Sequence, residues 1–149
     1  MDIPKTAEAV SETAKAAHTA RTRTTGGREH GISRSSDGRL DVRLAVPGSD
    51  RIGTNPEHLF AAAWSACFET AIELTARRMK ITLPAGVVID AEVDLNVAGS
   101  DSFLSARFNV SLPGVERATA HGLIDEAHST CPYAKATRGN MDVAIRLIE

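Results

Sequence analysis

Cysteine, tryptophan and tyrosine are all scarce in this chain: two, one and one among 149 residues. Two cysteines are too few for a disulfide scaffold. Charge of either sign is nearly balanced, at a net of −2, so nothing draws the whole chain to nucleic acid or to an anionic membrane surface. Long hydrophobic runs are missing as well. No stretch nears the ~18 apolar residues that a membrane span needs. The opening MDIPKTAEAVSETAKAAHTA lacks the basic start and unbroken apolar centre of a signal peptide. These absences predict a cytoplasmic protein that partners neither nucleic acid nor membrane. In a reducing cytosol, cysteines that pair do so transiently and chemically. No repeat or low-complexity linker divides the chain, and its length suits one domain over 1–149. Residues 1–15 read as an extension rich in Ala, Glu and Lys. A short or frayed helix is expected over 3–17.

The patterning alternates between strand and helix periods. AHTARTRTT reads as a weak strand, TTGGREHG as a glycine-rich turn, and SSDG as a hairpin turn. RLDVRLAV then alternates, with Leu40, Val42, Leu44 and Val46 on one face. TNPEHLF opens a helix: Thr54 or Asn55 caps it, Pro56 suits its first position, and Glu57 favours the positive end of its dipole. That helix is expected to run to about Lys80, and its all-round apolar LFAAAWSACF segment marks it as central and buried. Two further alternating runs, VVIDAEVDLNV and FLSARFNVSL, form a hairpin with one buried face. A second helix over GVERATAHGLIDEAHST, a short helix or turn at CPYAKATRG and a strand at MDVAIRLIE complete the chain. Helices set between runs of strands predict an α+β domain.

The two cysteines sit in unlike settings. Cys67 lies among alanines, where a cysteine serves either as a small core hydrophobe or as a nucleophile. A free thiol with a pKa of about 8.5 needs a nearby cation or donors to react at neutral pH, and the surrounding helix offers none. Cys131 precedes Pro132, which favours a boundary between elements. It either closes the apolar stripe of the preceding helix or stands at a helix N-terminus that favours thiolate. His121, His128 and Cys131 match no zinc pattern, and no metal site is expected. The arginines between 21 and 43 are diluted by acids and lack interleaved aromatics, which argues against a nucleic-acid surface. Arg28, after Gly26-Gly27, is either an exposed loop residue or one aimed inward by a tight turn.

TTGGREHG, SSDGRLDVRL, GTNPEHLFAAAWSACF and CPYAKATRGNMDV together resemble the organic hydroperoxide resistance branch of the OsmC/Ohr family. The resemblance spans about residue 16 to the C-terminus. It implies antiparallel sheets around a long central helix, in an intertwined homodimer. It also implies a thiol peroxidase for organic hydroperoxides, with Cys67 peroxidatic and Cys131 resolving. Arg28 would bind the peroxide and stabilise the thiolate, and Glu57 would hold Arg28. No bound cofactor is implied. The reductant would be an external dithiol, a lipoyl group on a lipoylated protein. Phe60 and Trp64 are candidate substrate-binding residues, or else core filler; Tyr133, next to Cys131, is a further candidate that either lines the pocket or hydrogen-bonds near Glu57. Two departures stand out: AAAW replaces an expected AAGY, and the N-terminus is longer by roughly a dozen residues.

Helix geometry adds a constraint. Glu57 and Cys67 are ten residues apart, about 15 Å along one helix axis. A glutamate side chain does not span that gap. The expected site is therefore composite, with Cys67 and Cys131 from one chain and Arg28 and Glu57 from another. A redox-sensing or ligand-binding protein on the same fold is the alternative to an enzyme.

Overall fold

The computed structural model describes residues 14–149. The expected N-terminal helix falls mostly outside the described residues, and residues 14–17 carry no helix. The element order is β1 (Thr22–Thr25), α1 (Gly27–His30), β2 (Ile32–Ser35), β3 (Asp41–Arg43), α2 (Pro56–Met79), β4 (Val88–Ala98), β5 (Asp101–Ser111), α3 (Arg117–Thr130), α4 (Pro132–Thr137) and β6 (Asp142–Ile148). This is the mixed α+β arrangement expected from the patterning.

Two three-stranded sheets form, ordered β1-β2-β3 and β4-β5-β6. The first is antiparallel, with Thr25 opposite Ile32 and Ser33 opposite Val42. Its third strand is shorter than RLDVRLAV suggests. Beyond Arg43 the chain turns to meet the segment before α2: Leu44 forms a parallel bridge with Thr54, and the Ala45 amide donates to the Thr54 carbonyl. Leu44 and Ala45 are buried there, while Val46 is exposed. The second sheet is mixed rather than antiparallel. β4 and β5 form a long hairpin from Val88↔Ser111 to Ala98↔Asp101, but β6 runs parallel to β5. The α3–α4 segment supplies the crossover that a parallel pair requires.

Helix α2 lies across this second sheet and against α3. Its start follows the capping expectation. Asn55 Oδ1 accepts from the His58 amide at 2.8 Å, and Pro56 occupies the first turn. It ends where Lys80 adopts left-handed φ 57° and its amide reaches back to the Ala76 and Arg77 carbonyls. Trp64, Phe68, Ile72 and Ala76 from α2 meet Phe108 and Val110 from β5 and Leu123 and Ala127 from α3. Each large side chain fully buried here contributes roughly 1.5–3 kcal/mol. The hairpin buries only part of its apolar face. Val87 is covered, whereas Leu95 and Val97 near the tip are 43% and 70% exposed. Among the described residues no helix is long and apolar enough to cross a membrane.

Candidate active site

Chain direction brings the two cysteines together. Cys67 lies midway along α2. Cys131 is the junction residue of the crossover, ending α3 and capping α4. Its amide donates to Ala127, and its carbonyl accepts from Lys135. Pro132 then opens α4, as the helix-boundary reading of CPY expects. Packing of α3 and α4 against α2 sets the two sulfurs 3.9 Å apart, with Cys131 fully buried and Cys67 half-buried. Both are free thiols.

Within the chain the Cys67 thiol is not activated. Burial pushes its pKa up, and the adjacent Cys131 sulfur pushes it further; the Tyr133 backbone, donating from the first turn of α4, pulls the other way. That backbone contact escapes a reading of side chains. Its only trace in the sequence is the helix start after CP.

Arg28 and Glu57 form the second half. The segment Gly26–Gly31 turns tightly to present Arg28. Gly26 has φ 76° and Gly27 φ 63°, both left-handed. A methyl on Gly31 would collide with the Gly27 carbonyl and lie 2.7 Å from the Thr25 carbonyl oxygen. The four-residue α1 that follows Gly26 replaces the expected plain turn. Arg28 Nη2 donates to Glu57 Oε1 at 2.5 Å and Nη1 to Oε2 at 3.5 Å. Burial opposes ionisation of Glu57, but the Arg28 hydrogen bonds, a backbone donor and the charges of Arg28 and His58 outweigh it. The carboxyl therefore lies below its ordinary 4.5.

The two halves open into separate clefts of the chain, each about 440 Å3. One is lined by Cys67, Thr70, Leu74 and Arg78; the other by Arg28, Glu57, Val93 and Leu95. Helix α2 is continuous from Pro56 to Met79, so the ten-residue gap between Glu57 and Cys67 stays at about 15 Å of axis.

The three aromatic candidates form a connected stack beside the thiols. Phe60 lies 5.5 Å from Trp64 and 6.3 Å from Tyr133, and Trp64 lies 4.8 Å from Phe108. Trp64 is 1% exposed, whereas Phe60 and Tyr133 are half-buried. None of the three lines the cleft that contains Cys67. Sequence reading missed the residues that do. Thr70, Leu74 and Arg78 follow Cys67 at helical spacing, the signal that would have found them. Among the described residues no cluster of three or more His, Cys, Asp or Glu is placed to hold a metal.

The chain is similar to known proteins in sequence and in fold. The family model for OsmC-like proteins matches residues 47–146. The chain is 41% identical over 137 residues to an organic hydroperoxide resistance protein of Xanthomonas axonopodis pv. citri, covering 89% of this chain and 96% of that one. The crystal structure of the organic hydroperoxide resistance protein OhrB of Bacillus subtilis superposes with a TM-score of 0.83 at 38% identity, over 89% of this chain and all of that one. A Legionella pneumophila organic hydroperoxide resistance protein gives 0.84 at 37%, over 91% and 100%.

Proposed function

Because the chain belongs to the OsmC-like family, we propose that it is a cysteine-based thiol peroxidase that reduces organic hydroperoxides to alcohols. The approach of Cys67 to Cys131, 3.9 Å between sulfurs brought together across 64 residues, carries this reading.

The Cys67 thiolate attacks the terminal peroxide oxygen, the O–O bond breaks, and the alkoxide leaves as alcohol once protonated. Cys67 is then a sulfenic acid. Cys131 attacks its sulfur, expels water and forms the Cys67–Cys131 disulfide, closing the gap from 3.9 Å to about 2.0 Å. An external dithiol, for which a lipoyl group on a carrier protein is the proposed source, reduces the disulfide by exchange and is itself oxidised. No bound cofactor takes part.

Thiolate formation needs a cation close to Cys67, and Arg78, which shares its cleft, stands eleven residues further along α2 and is paired with Glu126. Burial and Cys131 both disfavour the charge, while Arg28 is paired in the other cleft. A homodimer resolves this if Arg28 and Glu57 of one copy face Cys67 of another. The exposed apolar stripe of Leu95 and Val97, beside the Arg28 cleft, suits burial against that copy. A guanidinium within about 4–6 Å would lower the thiol pKa, and its fork of donors would polarise the peroxide. Phe60 and Tyr133, half-exposed beside the thiols, then form an apolar wall backed by Trp64.

Cumene hydroperoxide consumption with dihydrolipoamide tests the reading. Wild type turns over, Cys67→Ser is inactive, and Cys131→Ser loses sustained turnover. Stoichiometric oxidation of wild type without continued consumption would make the protein a redox sensor instead.

A further inference from the structure

The junction that carries Cys131 is short of hydrogen-bond donors. In an unbroken helix each carbonyl accepts from the amide four residues on. The Ala127 carbonyl does so, taking the Cys131 amide. The His128 carbonyl has no such donor, because the residue four places on is Pro132. The Ser129 carbonyl would take the Tyr133 amide, but that amide is turned to Cys67. The proline and the thiol contact together orphan two successive carbonyls at the end of α3.

Arg138 serves both. It caps the end of α4, where its own amide donates to the Ala134 carbonyl. Its Nη2 donates to the His128 carbonyl oxygen at 3.1 Å and reaches the Ser129 carbonyl oxygen at 3.5 Å. The guanidinium makes no other hydrogen bond among the described residues. A cation also suits the negative C-terminal end of a helix. One side chain thus ties the end of α4 back to the end of α3, with Cys131 and Tyr133 in the stretch between.

We propose that Arg138 is a positioning residue for the thiol pair: by serving the carbonyls of His128 and Ser129, it holds the bend at Cys131 and Pro132 that presents the Cys131 sulfur and the Tyr133 amide to Cys67. It acts through the backbone rather than on a sulfur. Without it, the end of α3 either draws the Tyr133 amide back to Ser129 or frays, and in both cases the thiols meet less often. With it, the reduced pair stays near closure, at 3.9 Å between sulfurs. By linkage the disulfide strengthens the clamp as much as the clamp favours the disulfide. This role stands on the geometry of the pair; its effect on turnover rests on the peroxidase reading.

The test is the equilibrium of the Cys67–Cys131 disulfide with dithiothreitol in wild type, Arg138→Met, Arg138→Lys and Glu116→Ala. Dithiothreitol gives two electrons and two protons to the disulfide and becomes a cyclic disulfide itself. Arg138→Met is expected to lower the effective concentration of one thiol at the other by roughly tenfold, which makes the potential about 30 mV less negative. Arg138→Lys keeps a cation with donors and recovers part of the shift. Glu116→Ala removes the cap at the far end of α3, where Glu116 accepts from the Ala118 and Thr119 amides. It lowers stability and leaves the potential in place. An unchanged potential in Arg138→Met overturns the inference, and so does an equal shift in Glu116→Ala. With cumene hydroperoxide, slower capture of the sulfenic acid leaves more of it to react with a second peroxide. Arg138→Met then collects Cys67 sulfinic acid sooner than wild type, as mass spectrometry would register. A shifted potential in Arg138→Met, with no hydroperoxide consumed by any variant or by wild type, keeps the positioning role and removes the peroxidase reading.

Discussion

Glu57 does its work through its charge. Its folded pKa is held below 4.5, mainly by Arg28 against the opposing effect of burial. A group with a depressed folded pKa contributes stability above its unfolded value and loses it as pH falls through the folded one. Wild type is therefore expected to exceed Glu57→Gln in stability above about pH 4.5, with the difference shrinking below it; urea unfolding at pH 7 and pH 3 measures this. At neutral pH the same substitution frees Arg28 and, in the proposed peroxidase, lowers kcat/KM by roughly tenfold or more. The Arg28–Glu57 contact was legible only through the resemblance, since 29 residues separate the pair and nothing in GGREHG or NPEH alone names the other. The Tyr133 backbone contact to Cys67 left no trace beyond the helix start after CP, because a peptide N–H carries no residue-type signal.

The elements divide by how local their determinants are. Helix α2 was readable almost to the residue, since Asn55, Pro56 and the arginines of its last turn act within a few positions. Asn55→Ala removes the bond to the His58 amide and is expected to cost about 1 kcal/mol in thermal or urea unfolding. The β4–β5 hairpin was equally readable, from alternation on both sides of AGSD. Strand β3 and the direction of β6 were not. β3 stops early because Leu44 and Ala45 turn to the segment before α2, and β6 enters parallel because the crossover delivers it so. Both outcomes depend on partners distant in sequence, which periodicity does not encode. Gly31→Ala probes the other local device. Its methyl would strike the Gly27 carbonyl, displacing the Arg28 turn and lowering turnover without loss of the α2 core, as near-UV and far-UV circular dichroism would register.

On the scale of the whole molecule, the candidate residues fall in two clefts that one chain keeps apart. The helix arithmetic available from the sequence survives in the structure because α2 runs unbroken between Glu57 and Cys67. A composite site makes a sharp prediction. Arg28→Met and Cys67→Ser are each inactive alone, yet mixing them by co-refolding restores about a quarter of wild-type activity per chain, from the one intact site of each mixed dimer. Full activity of wild type at every dilution, with monomer shown by sedimentation, would refute it.

The cysteine pair also has a place in time. Cys67 rides on a helix whose cap and hydrogen bonds are local, but Cys131 reaches it only when α3 and α4 have docked against α2. Docking of elements so far apart in sequence is slow compared with helix or hairpin formation. During synthesis Cys67 leaves the ribosome 64 residues ahead of its partner, and an oxidant that meets it in that interval finds a lone thiol.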